Sequence, residues 1–170
     1  MWNNYAFLST ISGIYMQIEL NSLDLKLLKL LQADARISTA ELADKVGLSQ
    51  SPCWRRICRL EEAGVIRKKV VLLDNEKVGM RAVIFTAVNL STHYGKTLEE
   101  FEQRVKSFPE VVECYTMTGS MDYMLKIVTK DMHHYEKFAR EHLAQIPNIR
   151  EMHSNVAITR IKDTTELPLD

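Results

Sequence analysis

Between residues 22 and 63 apolar positions return every three or four residues in three short runs separated by polar breaks, the period of amphipathic helices. The first run takes Ser22 as its N-cap, sets Asp24 in the first turn where the helix dipole favours an acid, and aligns Leu23, Leu27, Leu30 and Leu31 in one stripe. The second opens on a capping box, Ser38 with Glu41, and Ile37 can staple onto Leu42. It presents Ala40, Ala43 and Val46 on one side and stops at Gly47, which tolerates the left-handed backbone that a Cβ penalises. The third follows at once, with Ser49 as N-cap and Pro52 in the first turn, where a missing N–H breaks no helical bond. It should run to about Ala63. Its apolar positions Cys53, Ile57 and Leu60 face the preceding helix, while Gln50, Ser51, Trp54, Arg55, Cys58 and Arg59 face away.

After Gly64 the period shortens. The β-branched segment VIRKKVVLLD, bounded by Gly64 and Asp74, predicts a strand serving as wing or connector. A linker at 74–80 then leads into a pattern that occurs twice. The strand Arg81–Leu90 is followed by a helix capped by Thr97 and Glu100, with Leu98, Phe101, Val105 and Phe108 on one side, and by the strand Val111–Met117. The strand Tyr123–Val128 is followed by a helix from about Asp131, carrying Tyr135, Phe138, His142 and Ile146, and by the strand Ile149–Ile161. Phe108-Pro109-Glu110-Val111 and Ile146-Pro147-Asn148-Ile149 punctuate the two halves alike. Two strand-helix-strand units give an α+β ferredoxin-like βαββαβ sandwich with both helices on one sheet face. The other face is left for a second copy to cover. The expected organisation is an N-terminal arm or mis-assigned start at 1–15, a winged helix-turn-helix at 16–73, the linker, and the sandwich at 81–170. Residues 1–15 carry no charge and no clear period, and a strand or an oligomer contact is the alternative reading for them.

Composition changes this picture little, and charge changes it more. With 46% hydrophobic and 26% charged residues, the 170-residue chain is ordinary globular material. Its net charge is zero, which by itself argues against a nucleic-acid binder, but residues 22–70 hold ten Lys and Arg against six Asp and Glu, and residues 71–170 hold twelve against fifteen. A basic front half on an acidic rear half fits a DNA-binding module joined to one that does not bind DNA. Cys53, Cys58 and Cys114 form neither a disulfide framework nor zinc-ligand spacing, which points to a reducing cytoplasm. No apolar run approaches the roughly 18 residues of a membrane span, and no Lys or Arg precedes Lys26 to begin a signal peptide.

Two stretches carry candidate chemistry. A helix joined to its predecessor through a short Gly-containing turn is the geometry that lays a recognition helix in the major groove of double-stranded DNA. That makes Gln50, Ser51, Trp54 and Arg55 base-reading candidates, with Ser49, Arg56, Arg59, Arg67, Lys68 and Lys69 completing a DNA-binding set suited to phosphate neutralisation. The alternative is a solvated face on a two-helix corner. The second stretch is the turn Thr118-Gly119-Ser120-Met121-Asp122-Tyr123, where backbone N–H groups and an acid lie close enough to hold the carboxylate and ammonium of an amino acid, with Met117 and Met132 as apolar wall. A plain hairpin is the bland alternative. His133 and His134 are adjacent and cannot chelate as an i, i+4 pair, His93, His142 and His153 are scattered, and no nucleophile-base set or phosphate loop is present. No metal, no cofactor and no catalysis are expected.

Taken together, LDLKLLKLLQADARISTAELADKVGLSQSPCWRRICRLEEAGVI, LLDNEKVG, GSMDYMLKI and IKDTTELP resemble the Lrp/AsnC family of transcription regulators over about residues 20–168. The resemblance implies a winged helix-turn-helix joined to a sandwich that dimerises through its sheets and often assembles into octamers. It also implies small effectors, commonly amino acids, bound at contacts between dimers. The family's effector loop matches Gly119–Tyr123, and its other ligand-influencing positions match Met132 and Asn155-Val156-Ala157. Many relatives have Asp where this chain has Ser120, which would leave the ammonium contact to Asp122 and allows an effector other than leucine. Sirohaem decarboxylases resemble the same two-domain plan and form the competing expectation; His93, His133 or His153 would have to serve there, and the Arg-rich helix would be unexplained.

Overall fold

The computed structural model describes residues 18–92 and 95–169, so the expected arm at 1–15 and His93 lie outside the described residues. The chain divides into two units, one reaching to Val71 and taking in Asp163 onward, the other Leu72–Lys162.

The first unit holds three helices, α1 (Ser22–Ala33), α2 (Thr39–Val46) and α3 (Gln50–Glu62). Asn21, not Ser22, caps α1: its side chain accepts from the Leu23 and Asp24 N–H groups, and the Asp24 carboxylate accepts from the Asn21 N–H in return. The Ser38–Glu41 capping box forms on α2 as expected, and Gly47 ends that helix with φ at 72°. Leu27, Leu42, Ala43, Val46, Cys53 and Ile57 make the core. Ala40 is exposed, because it lies about 200° around the helix from Leu42, which takes the inward place.

The strand expected over VIRKKVVLLD does not form. A strand needs a neighbouring backbone to bond to, and among the described residues none pairs with this segment. Val70, Val71, Leu72 and Leu73 are exposed.

In the second unit β1 (Ala82–Leu90), α4 (Gly95–Lys106), β2 (Val111–Thr116), β3 (Tyr123–Thr129), α5 (Met132–Glu141), a 3-10 turn (Leu143–Gln145) and β4 (Ile149–Val156) follow in order. The sheet runs β2-β3-β1-β4 with every neighbouring pair antiparallel, the ferredoxin-like arrangement. The helix α4 starts at Gly95, ahead of the expected Thr97 cap. Strand β4 stops at Val156, well short of Ile161, because Val156 already lies opposite Ile84 near the start of β1 and the partner strand runs out. Beyond it Ile158 and Ile161 are exposed, and the chain end packs with the first unit, where the Gln32 amide accepts from the Leu167 N–H at 2.7 Å and donates to its carbonyl at 3.3 Å.

Alternation divides the sheet. Ile84, Val88, Leu90, Leu125 and Ile127 pack with Phe101 and Val105 of α4 and with Tyr135 and Phe138 of α5. Phe85 and Tyr115, at the alternate positions, are exposed in the single chain. The 117–122 turn is fastened to this frame. The Met117 N–H donates to the Asp122 carbonyl, the Asp122 N–H donates to the Val88 carbonyl and the Asn89 amide oxygen, and the Asp122 carboxylate accepts the Leu90 N–H at 2.8 Å. That last bond falls where the β1–β4 register shifts between Asn89 and Leu90.

Two outcomes follow from these contacts. A Cβ at Gly47 meets no atom, so Gly47→Ala should cost only the left-handed backbone, about 1–2 kcal/mol, read by denaturant unfolding. Asp122→Ala strips the acceptor from a buried N–H and should cost about 1–3 kcal/mol, with Asp122→Asn recovering part of the loss.

Candidate DNA interface and effector site

The connector Gly47-Leu48-Ser49 carries the chain directly from α2 into α3, because Gly47 adopts the left-handed turn and its N–H returns to α2. Cys53, Ile57 and Leu60 then fix one face of α3 in the core. Ser49, Gln50, Ser51, Trp54 and Arg55 are exposed together on the opposite side near the helix N-terminus. Trp54 is 58% exposed, which is far more than packing alone would leave for so large a ring. Arg67, Lys68 and Lys69 are exposed beyond the helix, with Lys69 held by Glu61 at 3.1 Å. The Ser49 hydroxyl makes no cap bond.

Arg59 is exposed and Arg56 half-buried, but both differ from the rest of the expected DNA set in their partner. Both reach back to Asp24 on α1, Arg56 Nη1 to Oδ1 at 3.0 Å and Arg59 Nη2 to Oδ2 at 2.7 Å, and the carboxylate is fully buried. Burial alone would push the Asp24 carboxyl up; the Asn21 N–H and the two guanidinium groups outweigh it and hold the carboxyl below its usual value. By sequence alone Asp24 is only a helix-dipole acid. Its position one turn before Leu27 and Leu28, the buried positions of α1, was the available signal, since a carboxylate on a buried stripe requires partners.

The residues expected to hold an effector fall into two groups. Met117, Thr118, Gly119 and Ser120 are exposed on the turn, and Asp122 is half-buried beneath them. Gly119 has φ at 115°, so the turn depends on glycine at that position. Tyr123 does not face this turn's solvent side. Its ring is buried against Phe101, and its hydroxyl donates to Glu102 at 3.1 Å; burial first, then the Glu102 carboxylate, pushes the phenol well above its ordinary value.

Met132, Asn155, Val156 and Ala157 form the second group. Met132 and Val156 line an open cavity of about 440 Å³ with Arg81, Lys130 and Asp131. Asp131 caps α5, accepting the His134 N–H at 2.9 Å, and that bond together with the His134 side chain holds its carboxyl low. The register fixes the distance between the groups: Val156 lies opposite Ile84, whereas Asp122 bonds to Leu90, so they stand about 20 Å apart along β1. One chain does not bring them together. Among the described residues, no group of three His, Cys, Asp or Glu is placed to hold a metal ion, and no helix is long and apolar enough to cross a membrane.

Residues 83–167 match the Lrp/AsnC ligand binding domain, and residues 20–67 match a winged helix-turn-helix DNA-binding family. The transcriptional regulator AzlB of Bacillus subtilis is 41% identical over 155 residues, covering 91% of this chain and 99% of that protein. The DNA-binding transcriptional activator DecR of Escherichia coli is 36% identical over 151 residues, covering 89% and 99%. Among solved structures, an AsnC family regulator from Agrobacterium tumefaciens superposes with a TM-score of 0.84 at 45% identity, covering 88% of this chain and 97% of that one. A transcriptional regulator from Neisseria meningitidis, solved as a complex with L-Met, gives 0.85 at 34%, covering 89% and 98%. With both halves of the fold matched along nearly the full length of these relatives, the chain belongs to the Lrp/AsnC family of transcription regulators.

Proposed function

We propose that this protein binds double-stranded DNA through the exposed face of α3, as a symmetric homodimer or a larger assembly of dimers, and that an amino acid held by the second unit modulates that binding. The observation that carries the DNA half is the outward cluster of Gln50, Ser51, Trp54 and Arg55, which the core contacts of Cys53, Ile57 and Leu60 leave fully available. A two-fold dimer presents two such helices, so its operators should be pseudo-palindromic with half-sites about one helical turn, or a multiple, apart. Arg67 and Lys68 supply phosphate contacts that strengthen binding without reading sequence.

The effector half is supported by the placement of its two residue groups and by the L-Met bound to the Neisseria relative. Since the turn around Gly119 and the cluster around Met132 and Val156 are too far apart in one chain, a second copy contributes one of them. The open sheet face bearing Phe85 and Tyr115 supplies a surface for the dimer contact. The protein is a regulator and carries out no reaction of its own, in the cytoplasm where the DNA lies. Among the described residues the sirohaem-decarboxylase alternative gains no support: His133 and His153 are exposed, and His153 pairs with its own strand neighbour Glu151.

Duplexes enriched by the purified protein from a random-sequence pool should share a two-fold symmetric motif. Arg55→Ala should weaken binding to that motif by about 1–3 kcal/mol in a gel-shift titration, and an unchanged affinity removes Arg55 from base reading. In a thermal-shift screen of the twenty amino acids, at least one, with methionine the first candidate, should raise the melting temperature. A screen with no shift at millimolar concentrations removes the amino-acid reading while leaving the DNA reading intact.

A further inference from the structure

Asp24 is the only residue of α1 whose charge is fully buried among the described residues, and each of its carboxylate oxygens takes a guanidinium from the recognition helix. Oδ2 also accepts the Asn21 N–H at 3.2 Å, so the acid is fixed by its own helix cap while it grips α3. Arg56 and Arg59 are one turn apart on α3, and the pair of bonds therefore restrains both the rotation of that helix about its axis and its slide along α1. We infer that Asp24 is a positioning residue for DNA recognition: it sets the orientation of the base-reading face and withholds Arg56 and Arg59 from the DNA phosphates.

This rests on the DNA-binding reading above. Arginines left free beside a recognition helix bind any duplex, which raises non-specific affinity and lowers discrimination. A buried carboxylate that occupies two of them leaves the exposed Arg55 and Trp54 as the groups that meet the bases. A contact that matters only for folding would change stability without changing which DNA is bound.

The test compares the full-length protein with Asp24→Asn, which preserves shape but removes the charge. The probes are the duplex enriched from a random pool by the unsubstituted protein and an unrelated duplex of equal length, each titrated over a range of salt concentrations. For Asp24→Asn, affinity for the enriched duplex should fall about tenfold, affinity for the unrelated duplex should rise several-fold, and the unrelated duplex should show a salt slope steeper by about 1–2 as the released arginines reach phosphates. A lowered melting temperature with unchanged discrimination and unchanged slopes overturns the inference. Should Asp24→Asn fail to fold, Arg59→Gln decides. Its slope on the unrelated duplex should equal that of the unsubstituted protein, and a slope reduced by about 1 makes Arg59 a phosphate contact and overturns the inference. If the unsubstituted protein enriches no sequence and binds no duplex, the DNA reading fails and this inference with it; enrichment with unaltered discrimination in Asp24→Asn sinks the inference alone.

Discussion

The geometry of one strand constrains the second unit. Strand β1 sits between β3 and β4 and pairs with both, so its length sets how far apart their ends must be. At one end Leu90 is bonded to the Asp122 carboxylate beneath the Gly119 turn. At the other, Ile84 lies opposite Val156, beside the cavity that Met132 shares. Within one chain these ends stand about 20 Å apart along β1. The same strand carries Phe85, exposed on the open sheet face, so the proposed dimer contact and the proposed shared effector site both bear on one element.

In the first unit the corresponding constraint is electrostatic. Three helices of eight to thirteen residues are too short to be stable alone and depend on packing along Leu27, Leu42, Val46 and Ile57. Hydrophobic attraction is not itself directional, whereas hydrogen bonds and ion pairs are. The Asp24 carboxylate adds a directional contact, with one guanidinium on each of its oxygens. A charge placed in a core is costly unless paired, and here Arg56 and Arg59 supply the pairing.

Much of this was legible in the residues. The capping box at Ser38 and Glu41, the stop at Gly47 and the i, i+4, i+7 set on α3 are local chemistry, and each sits in the structure where the pattern places it. The doubled strand-helix-strand pattern likewise predicted the sandwich. Four features were beyond the pattern. Cap choice between Asn21 and Ser22 depends on which backbone is extended, and Asn21 is. The segment after Gly64 has the composition of a strand, but strand formation requires a neighbour that sequence composition does not supply. Arg59 is exposed where the helical period places it and Arg56 is half-buried, but the period says only which way a side chain leaves the backbone and does not show that both long guanidinium arms turn back to a buried acid. Tyr123 is similar: it belongs to the turn by sequence and to the core by the alternation of β3.

In the proposed function the effector site is completed only in an assembly. Sedimentation velocity over a range of protein concentrations, run with and without the amino acid that stabilises the protein, tests it most directly. Binding that is lost as the protein is diluted to monomers, together with an assembly mass that changes when the amino acid is added, is the predicted result. A monomer that binds the amino acid with undiminished affinity contradicts the claim and would place the whole site within one chain.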